Sequence, residues 1–365
     1  MRDRVVLFKH CLYPWWIDLA QALSATHEVR LLVSRTGGSE NRYYRFETSD
    51  LDVVNLAGDR GTRRYTLRFN RYLASLGGAS RAVIFDPKSS LNGVLFGLAC
   101  MVRRLPYVSI VSENRMILPI LPPAPAVVTG IRRLLHRVGL WVTARSHKVI
   151  CESPSAATYL QALGVARTTV QPHGIDLDRI RPSDPDRDLA RRFGIDESRL
   201  RILYLGGSYA NKGYEYLLRA IEADRNDAQF VIGGGGPAWN EGRHQDPRII
   251  HVPLWPAGQL NALLSVADFL IVPSVSDDMG SERSPNVVIE GLAAGLTVLG
   301  STCGAVPFYV GDDGFVFEER RERGVLDAFE FARTTLANRP AWRARARGAA
   351  ERRFDIRRYG ELVMT

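Results

Sequence analysis

The sequence predicts an α/β protein built from two successive doubly wound units, each a parallel sheet with helices on both faces. Three observations predict it. Short apolar runs alternate with segments of helical period from end to end, as strand–helix–strand units require. The alternation pauses at a polar stretch, residues 183–192, and then begins again. The length, 365 residues, suits two domains of about 100–200 residues each.

The first series opens on Val5-Val6-Leu7-Phe8. A continuous apolar run is the mark of a strand buried on both faces. Helical spacing follows over residues 17–24, then strands are expected at 28–33 and 82–85. A helix is expected over 91–101, and strands at 107–111 and 148–151. The join falls near Pro172 to Pro182. The second series places strands at 201–205, 229–232, 249–251, 269–272 and 297–300. This gives one domain over 1–172, a second over 173–345 and a helical, arginine-rich terminal segment over 346–365. In open parallel sheets ligands sit beyond the carboxyl ends of the strands, so a cleft between two such sheets is the expected site.

Composition narrows the function classes. An apolar fraction of 45% and a charged fraction of 24% are those of an ordinary soluble globular protein. Cys11, Cys100, Cys151 and Cys303 stand far apart and form no C-x-x-C pair, which suggests neither a zinc site nor a disulfide framework and fits a reducing, cytoplasmic setting. The opening apolar run is too short for a signal peptide. The longest apolar stretch stops at Arg103-Arg104, so no membrane span is expected. The net charge of +9 favours acidic partners. No nucleic-acid motif or Lys/Arg run is present, so the charge reads as a solvated basic face, or as suited to phosphorylated small molecules or an anionic membrane surface. Residues 127–145 are basic and amphipathic, with Ile131, Leu134, Leu135 and Val138 against Arg132, Arg133 and Arg137. They read either as a peripheral contact with the inner face of a membrane or as an ordinary domain helix.

The chemistry concentrates in residues 268–300. A buried strand runs into a loop holding Asp277, Asp278 and Glu282. Ser284-Pro285 then opens a helix, with Ser284 expected as N-cap and Pro285 at the first helical position. The amides of the first turn, around Asn286 and Val287, form an anion site together with the helix dipole. Glu290 lies about a turn and a half further in. A phosphate flanked by Glu282 and Glu290, each able to accept from sugar hydroxyls, is the geometry of a nucleotide-sugar site.

Glu282 and Glu290, with seven residues between them in the context E-R-S-P-N-V-V-I-E-G-L-A-A-G-L-T-V, resemble the E-x7-E signature of the retaining glycosyltransferases of family 4. That resemblance implies the GT-B architecture: two Rossmann-like doubly wound domains facing across a cleft, the first for the acceptor, the second for the donor. It implies that Glu290 takes the ribose hydroxyls, that Glu282 contacts the donor sugar and that the Ser284–Val287 amides hold the diphosphate. Gly206-Gly207-Ser208 followed by Asn211-Lys212-Gly213 resembles the turn that opens the donor domain, with Gly207 and Ser208 beside the donor and Lys212 as a charge on its phosphates. The glycines at 233–236 could cradle a phosphate, but a tight turn alone explains them better. His173-Gly174-Ile175-Asp176 resembles the inter-domain segment, and His173 reads as an ordinary polar residue there. The segment 352–359 resembles a last helix that crosses back to the first domain.

Three departures from the family pattern matter. A Gly-Gly pair usual in the first strand-to-helix loop is replaced by Lys9-His10-Cys11-Leu12-Tyr13-Pro14-Trp15-Trp16. His10, Tyr13, Trp15 and Trp16 are therefore candidates for acceptor binding, the tryptophans by stacking; helix-start packing is the competing reading. The arginine frequent after the glycine turn is Gly207 here, which leaves Lys212 and Arg283 to neutralise the phosphates. Where relatives carry a histidine, this chain has Glu113, a candidate to orient the acceptor hydroxyl, with a salt bridge to Arg115 as the alternative.

The resemblance implies front-face displacement with retained configuration. The leaving diphosphate accepts the acceptor's proton, while Lys212, Glu282 and Glu113 supply positioning and charge. No D-x-D motif is expected to bind a metal here, since Asp277 and Asp278 are adjacent and suit a loop better than a cation cage, so neither a metal nor a cofactor is expected; the UDP- or GDP-sugar is a substrate. The acceptor reads as a saccharide, lipid-linked in envelope polysaccharide synthesis, or as a small natural product. A nucleotide-sugar epimerase, a phosphorylase or an inactive carbohydrate-binding subunit are the other classes this architecture serves.

Overall fold

The computed structural model of the chain describes residues 2–9, 13–33, 50–55, 69–112, 126–207, 209–235, 246–253, 259–277 and 280–365. The chain forms two compact units, Met1–Gly174 with Ile356–Thr365, and Ile175–Asp355.

The first unit holds β1 (Arg4–Lys9), β2 (Glu28–Val33), β3 (Asp52–Asn55), β4 (Ala79–Phe85), β5 (Tyr107–Val111), β6 (Lys148–Cys151) and β7 (Thr168–Val170). Among the described residues the strand order is β3-β2-β1-β4-β5-β6-β7, and each pairing is parallel. The chain starts at mid-sheet, winds outward, crosses back between β1 and β4 and winds the other way. That reversal creates a switch point beyond the carboxyl ends of β1 and β4. Val5, Val6, Leu7 and Phe8 are fully buried, so the apolar run of β1 serves both faces of the sheet. Phe8 stacks on Phe96 at 4.7 Å, inside a core shared with Tyr72, Ile84 and Val142.

The helices of this unit are α1 (Pro14–Ser24), α2 (Phe69–Ser75), α3 (Leu91–Val102), α4 (Ala126–Ala144) and α5 (Pro154–Ala162), numbered in chain order. Their starts follow local rules. Ser90 Oγ accepts from the Gly93 amide at 3.0 Å to cap α3. Ser153 does the same for α5 at 3.2 Å, with Pro154 at the first helical position.

The second unit holds α6 (Arg187–Phe193), β8 (Leu200–Gly207), α7 (Tyr214–Ala223), β9 (Ala228–Gly235), β10 (Ile249–Pro253), α8 (Leu260–Ser265) and β11 (Phe269–Val272). It continues with α9 (Asn286–Ala293), β12 (Thr297–Ser301), α10 (Val306–Val310), β13 (Phe315–Phe317), α11 (Glu322–Thr335) and α12 (Arg339–Arg353). The sheet order is β10-β9-β8-β11-β12-β13, again parallel throughout, with its switch point at β8 and β11. The buried Arg201 fork bonds Asp268, Nη2 to Oδ1 at 2.8 Å, and so ties the starts of those two central strands together. Gly206 and Gly234 pair in register. A Cβ on Gly234 would stand 1.7 Å from the Gly206 carbonyl oxygen, so these glycines permit close strand approach, the structural reading of the glycine run.

The last helix, α13 (Ile356–Met364), belongs to the first unit and packs on α1. Lys148 Nζ donates to its Leu362 carbonyl at 2.9 Å. Tyr359 meets Trp15 edge to face at 6.3 Å.

Candidate functional site

The donor candidates gather at the β8/β11 switch point. After β8, residues Ala210–Lys212 make one 3-10 turn, and Gly213 then takes a left-handed φ of 67° to enter α7. A Cβ at Gly213 would lie 1.7 Å from the Pro273 carbonyl oxygen, so the loop can rest on the end of β11 only as glycine. The Val275 amide donates to the Asn211 carbonyl at 2.9 Å and locks the two loops together. Lys212 is thereby aimed at the loop after β11. Its Nζ lies 2.7 Å from Glu282 Oε2, which also accepts from Ser274 Oγ at 3.2 Å.

Glu282 is held from behind by the loop after β12. Its carbonyl accepts from the Ala305 amide at 2.8 Å, and its amide faces Cys303 Sγ at 3.4 Å. Gly304, at φ 55°, passes so close that a Cβ there would meet the Glu282 carbonyl oxygen at 2.1 Å. Burial pushes the Cys303 thiol up, which keeps it protonated and inert as packing. Beneath the site Tyr204 donates to the Gly207 carbonyl at 2.7 Å. Burial raises the Tyr204 phenol far above its ordinary value, with Tyr214 and Glu282 adding to the effect, so it stays a neutral donor.

The helix that follows starts one residue later than expected. Pro285, not Ser284, is the N-cap of α9, and it makes no side-chain cap bond. Ser284 Oγ instead lies 3.3 Å from the buried Tyr309 hydroxyl. A proline side chain has no acceptor to offer the Asn286 and Val287 amides at this helix start. Both residues are half-buried, whereas Arg283 is exposed and Glu290 is buried one turn inside the helix. The far end of α9 is fixed by a Schellman pair: Leu296 N to Gly291 O at 2.8 Å and Gly295 N to Leu292 O at 3.0 Å, with Gly295 at φ 79°. Asp277 closes a tight turn, its amide donating to the Gly280 carbonyl at 2.8 Å. Ser208 and Asp278 lie outside the described residues.

The acceptor candidates belong to the first unit. His10 and Glu113 lie outside the described residues. Trp15 and Trp16 are buried, so their faces are not open to a ligand, and the stacking role expected of them is corrected to packing. Trp15 is sandwiched with His173 at 4.5 Å and meets Phe85 at 5.6 Å. Tyr13 keeps partial exposure and sits under Lys9 Nζ, 4.1 Å from the ring centroid.

Two polar groups of this unit, Lys9 and His173, carry no special role in the sequence pattern yet are buried. Lys9, at the end of β1, is buried with Nζ 3.5 Å from the Phe85 centroid, a cation among aromatic faces. His173 is fully buried, and its Nδ1 lies 3.0 Å from Glu152 Oε1. The only sequence signal for either was a polar residue within two positions of a buried strand end or a chain join.

A second buried group lies at the end of β4. Asp86, at φ 47°, pairs with Lys88 Nζ at 2.9 Å. His136 Nε2 lies 3.2 Å from the Tyr159 hydroxyl. Burial, with Lys88 adding to it and Asp86 opposing it, holds His136 below the ordinary imidazole value. A depressed folded-state value means stability that is present above the unfolded value, about 6.5, and lost as pH falls through the folded one. The thermal midpoint should therefore drop between about pH 7 and about pH 5, and His136→Gln should flatten that slope. Scanning calorimetry of both proteins across that range checks it; parallel slopes would refute it.

Two successive doubly wound units, with helix N-termini and loops at the carboxyl ends of their strands, place the chain in the GT-B class. Residues 15–179 match the family model described as "Glycosyltransferase Family 4", and residues 199–333 match "Glycosyl transferases group 1". The two matches, one in each unit, mark the chain as like the glycosyltransferases of family 4, with the GT-B fold. A Bacillus subtilis protein named for glycosyl transfer in teichuronic acid biosynthesis is 29% identical over 166 residues, covering 45% of this chain and 39% of that one. The 2-deoxystreptamine glucosyltransferase of Streptomyces kanamyceticus is 26% identical over 242 residues, covering 59% of this chain and 60% of that one. These matches span less than two thirds of either relative. The structure of Anabaena HepE with UDP-glucose superposes with a TM-score of 0.73 at 15% identity, over 99% of this chain and 98% of that chain.

Proposed function

We propose that the chain transfers a sugar from a UDP- or GDP-sugar to a hydroxyl of a saccharide acceptor, with retained anomeric configuration and without a metal. The observation that carries this reading is the Lys212–Glu282 pair, 2.7 Å apart at the β8/β11 switch point in the loop that leads to the α9 N-terminus. A cation, a carboxylate and helix amides together suit a diphosphate with a sugar attached. The diphosphate draws Lys212 away from Glu282. That frees the carboxylate to accept from sugar hydroxyls, while Glu290 takes the ribose. As the bond to the anomeric carbon breaks, Lys212 and the Asn286 and Val287 amides stabilise the departing charge. UDP-glucose in Anabaena HepE supports a nucleotide-sugar donor. The saccharide acceptor, lipid-linked in cytoplasmic assembly of an envelope polysaccharide or glycoconjugate, is in keeping with the teichuronic acid relative. The 2-deoxystreptamine relative supports the alternative of a small natural-product acceptor.

Thermal shift with UDP- and GDP-sugars identifies the donor, because a ligand that binds the folded state stabilises it. Glu290→Ala should weaken donor binding about tenfold or more by removing the ribose contact. An unchanged shift would sink the donor assignment. NMR of the product anomer tests retention, and full activity in EDTA is expected. Conversion of the donor sugar without any acceptor would replace transfer by epimerisation.

A further inference from the structure

The outer face of α4 carries a feature that the donor site does not use. Its buried side is set by His136, Val142 and Thr143, with Gly139 packed on Lys88. On the opposite side Leu134 is 61% exposed, Ile131 54% and Trp141 44%. Leu134 and Trp141 stand seven residues apart, two turns of helix, and so share one line on the surface. At 100° per residue Arg137 and Arg133 flank that line on one side and Arg145 on the other. The three arginines are exposed, and Arg145 lies over the Trp141 ring at 5.2 Å. No aspartate or glutamate occurs between Glu113 and Glu152. Large apolar side chains cost free energy in water unless something covers them.

We propose that this face of α4 docks the first unit on an anionic lipid surface. The charge pattern selects that occupant. A row of apolar side chains edged by arginines, on a helix that itself carries no acidic residue, fits an interface where tails take the apolar groups and phosphates take the guanidiniums. Trp141 and Leu134 sink to the headgroup boundary. Arg133, Arg137 and Arg145 spread around them at phosphate level, their stems against lipid. The helix lies along the surface rather than through it; among the described residues no helix is long and apolar enough to cross a membrane. Docking is independent of the sugar transferred, so its failure leaves the donor reading intact.

Flotation of the full chain with vesicles tests it, using phosphatidylcholine alone and phosphatidylcholine mixed with phosphatidylglycerol. Binding is expected to the mixed vesicles only, weakened by added salt and accompanied by a blue shift of tryptophan emission. The pair Leu134→Ser and Trp141→Ser should lower the partition coefficient about tenfold or more, as should the triple change of Arg133, Arg137 and Arg145 to Gln. Both sets lie on the exposed face, and an unchanged circular dichroism melt confirms that they fold. Equal binding to neutral vesicles, or undiminished binding by either variant, overturns the proposal. So does a dimer in sedimentation velocity that the Leu134/Trp141 variant dissociates, which would make the face a contact between copies.

Discussion

Lys212→Ala is expected to lower kcat/KM for the donor about 10²–10³-fold while leaving the melting temperature nearly unchanged. The two halves of this result have separate causes. In the free protein Lys212 Nζ meets Glu282 at 2.7 Å, but the lysine side chain is 37% exposed and the carboxylate 17%. A pair this open contributes about 0–1 kcal/mol, because water screens it and can solvate the carboxylate left behind. Ser274 Oγ also remains on Glu282 Oε2 at 3.2 Å. In the transfer proposed above, the same ammonium faces a leaving diphosphate whose charge is growing. One fixed cation at that point is a transition-state interaction, so the loss should fall on kcat as well as KM. Lys212→Arg should recover only part of the rate, since a planar fork does not replace a point charge in a turn this tight. Steady-state kinetics on purified protein decides the matter. A change within about threefold would remove Lys212 from the chemistry.

The sequence made some of this legible and concealed the rest for physical reasons. Central strands of a parallel sheet are covered on both faces, so β1, β5, β8 and β11 announce themselves as apolar runs. Edge strands need no such run. β3, β7 and β13 were passed over, and all three lie at sheet edges. β7 shows why most plainly: Thr169 and Val170 are exposed. The donor loop was readable because helix starts, glycine turns and paired carboxylates are local signals. Even there Ser284 was misplaced, since its hydroxyl turns to Tyr309 while Ser153, in the same Ser-Pro context, does cap its helix. A tertiary partner decided between two identical dipeptides. Trp15 and Trp16 illustrate the opposite difficulty. An aromatic pair at a helix start has the same pattern whether it faces a ligand or Phe85 and His173. Cys303, Gly304 and Tyr204 support Glu282 and β8 from distant parts of the chain, and no spacing rule could bring them there.

Gly213→Ala should be as damaging to catalysis as the loss of Lys212 and, unlike it, should also destabilise the second unit. The backbone there has φ 67°, which costs a residue with a Cβ about 1–2 kcal/mol. The new methyl would also stand 1.7 Å from the Pro273 carbonyl oxygen and 2.6 Å from its carbon. Neither is the flexible end of a side chain, so the loop must lift, at a further cost of about 1–3 kcal/mol. Lifting breaks the Val275 to Asn211 bond and carries Lys212 away from Glu282. Gly194 supplies the control. It has φ 69°, nearly the same conformation in the same unit, and an added Cβ meets nothing within 4 Å. Gly194→Ala therefore isolates the conformational cost and should leave kcat/KM untouched. Urea unfolding of the two variants, with donor kinetics on each, separates backbone strain from collision. If Gly213→Ala costs no more than Gly194→Ala and keeps full activity, the loop does not rest on the end of β11, and the aim of Lys212 at the donor has another origin. If it is the costlier and the inactive one, the geometry of Glu282 and Lys212 is set by a single missing carbon atom.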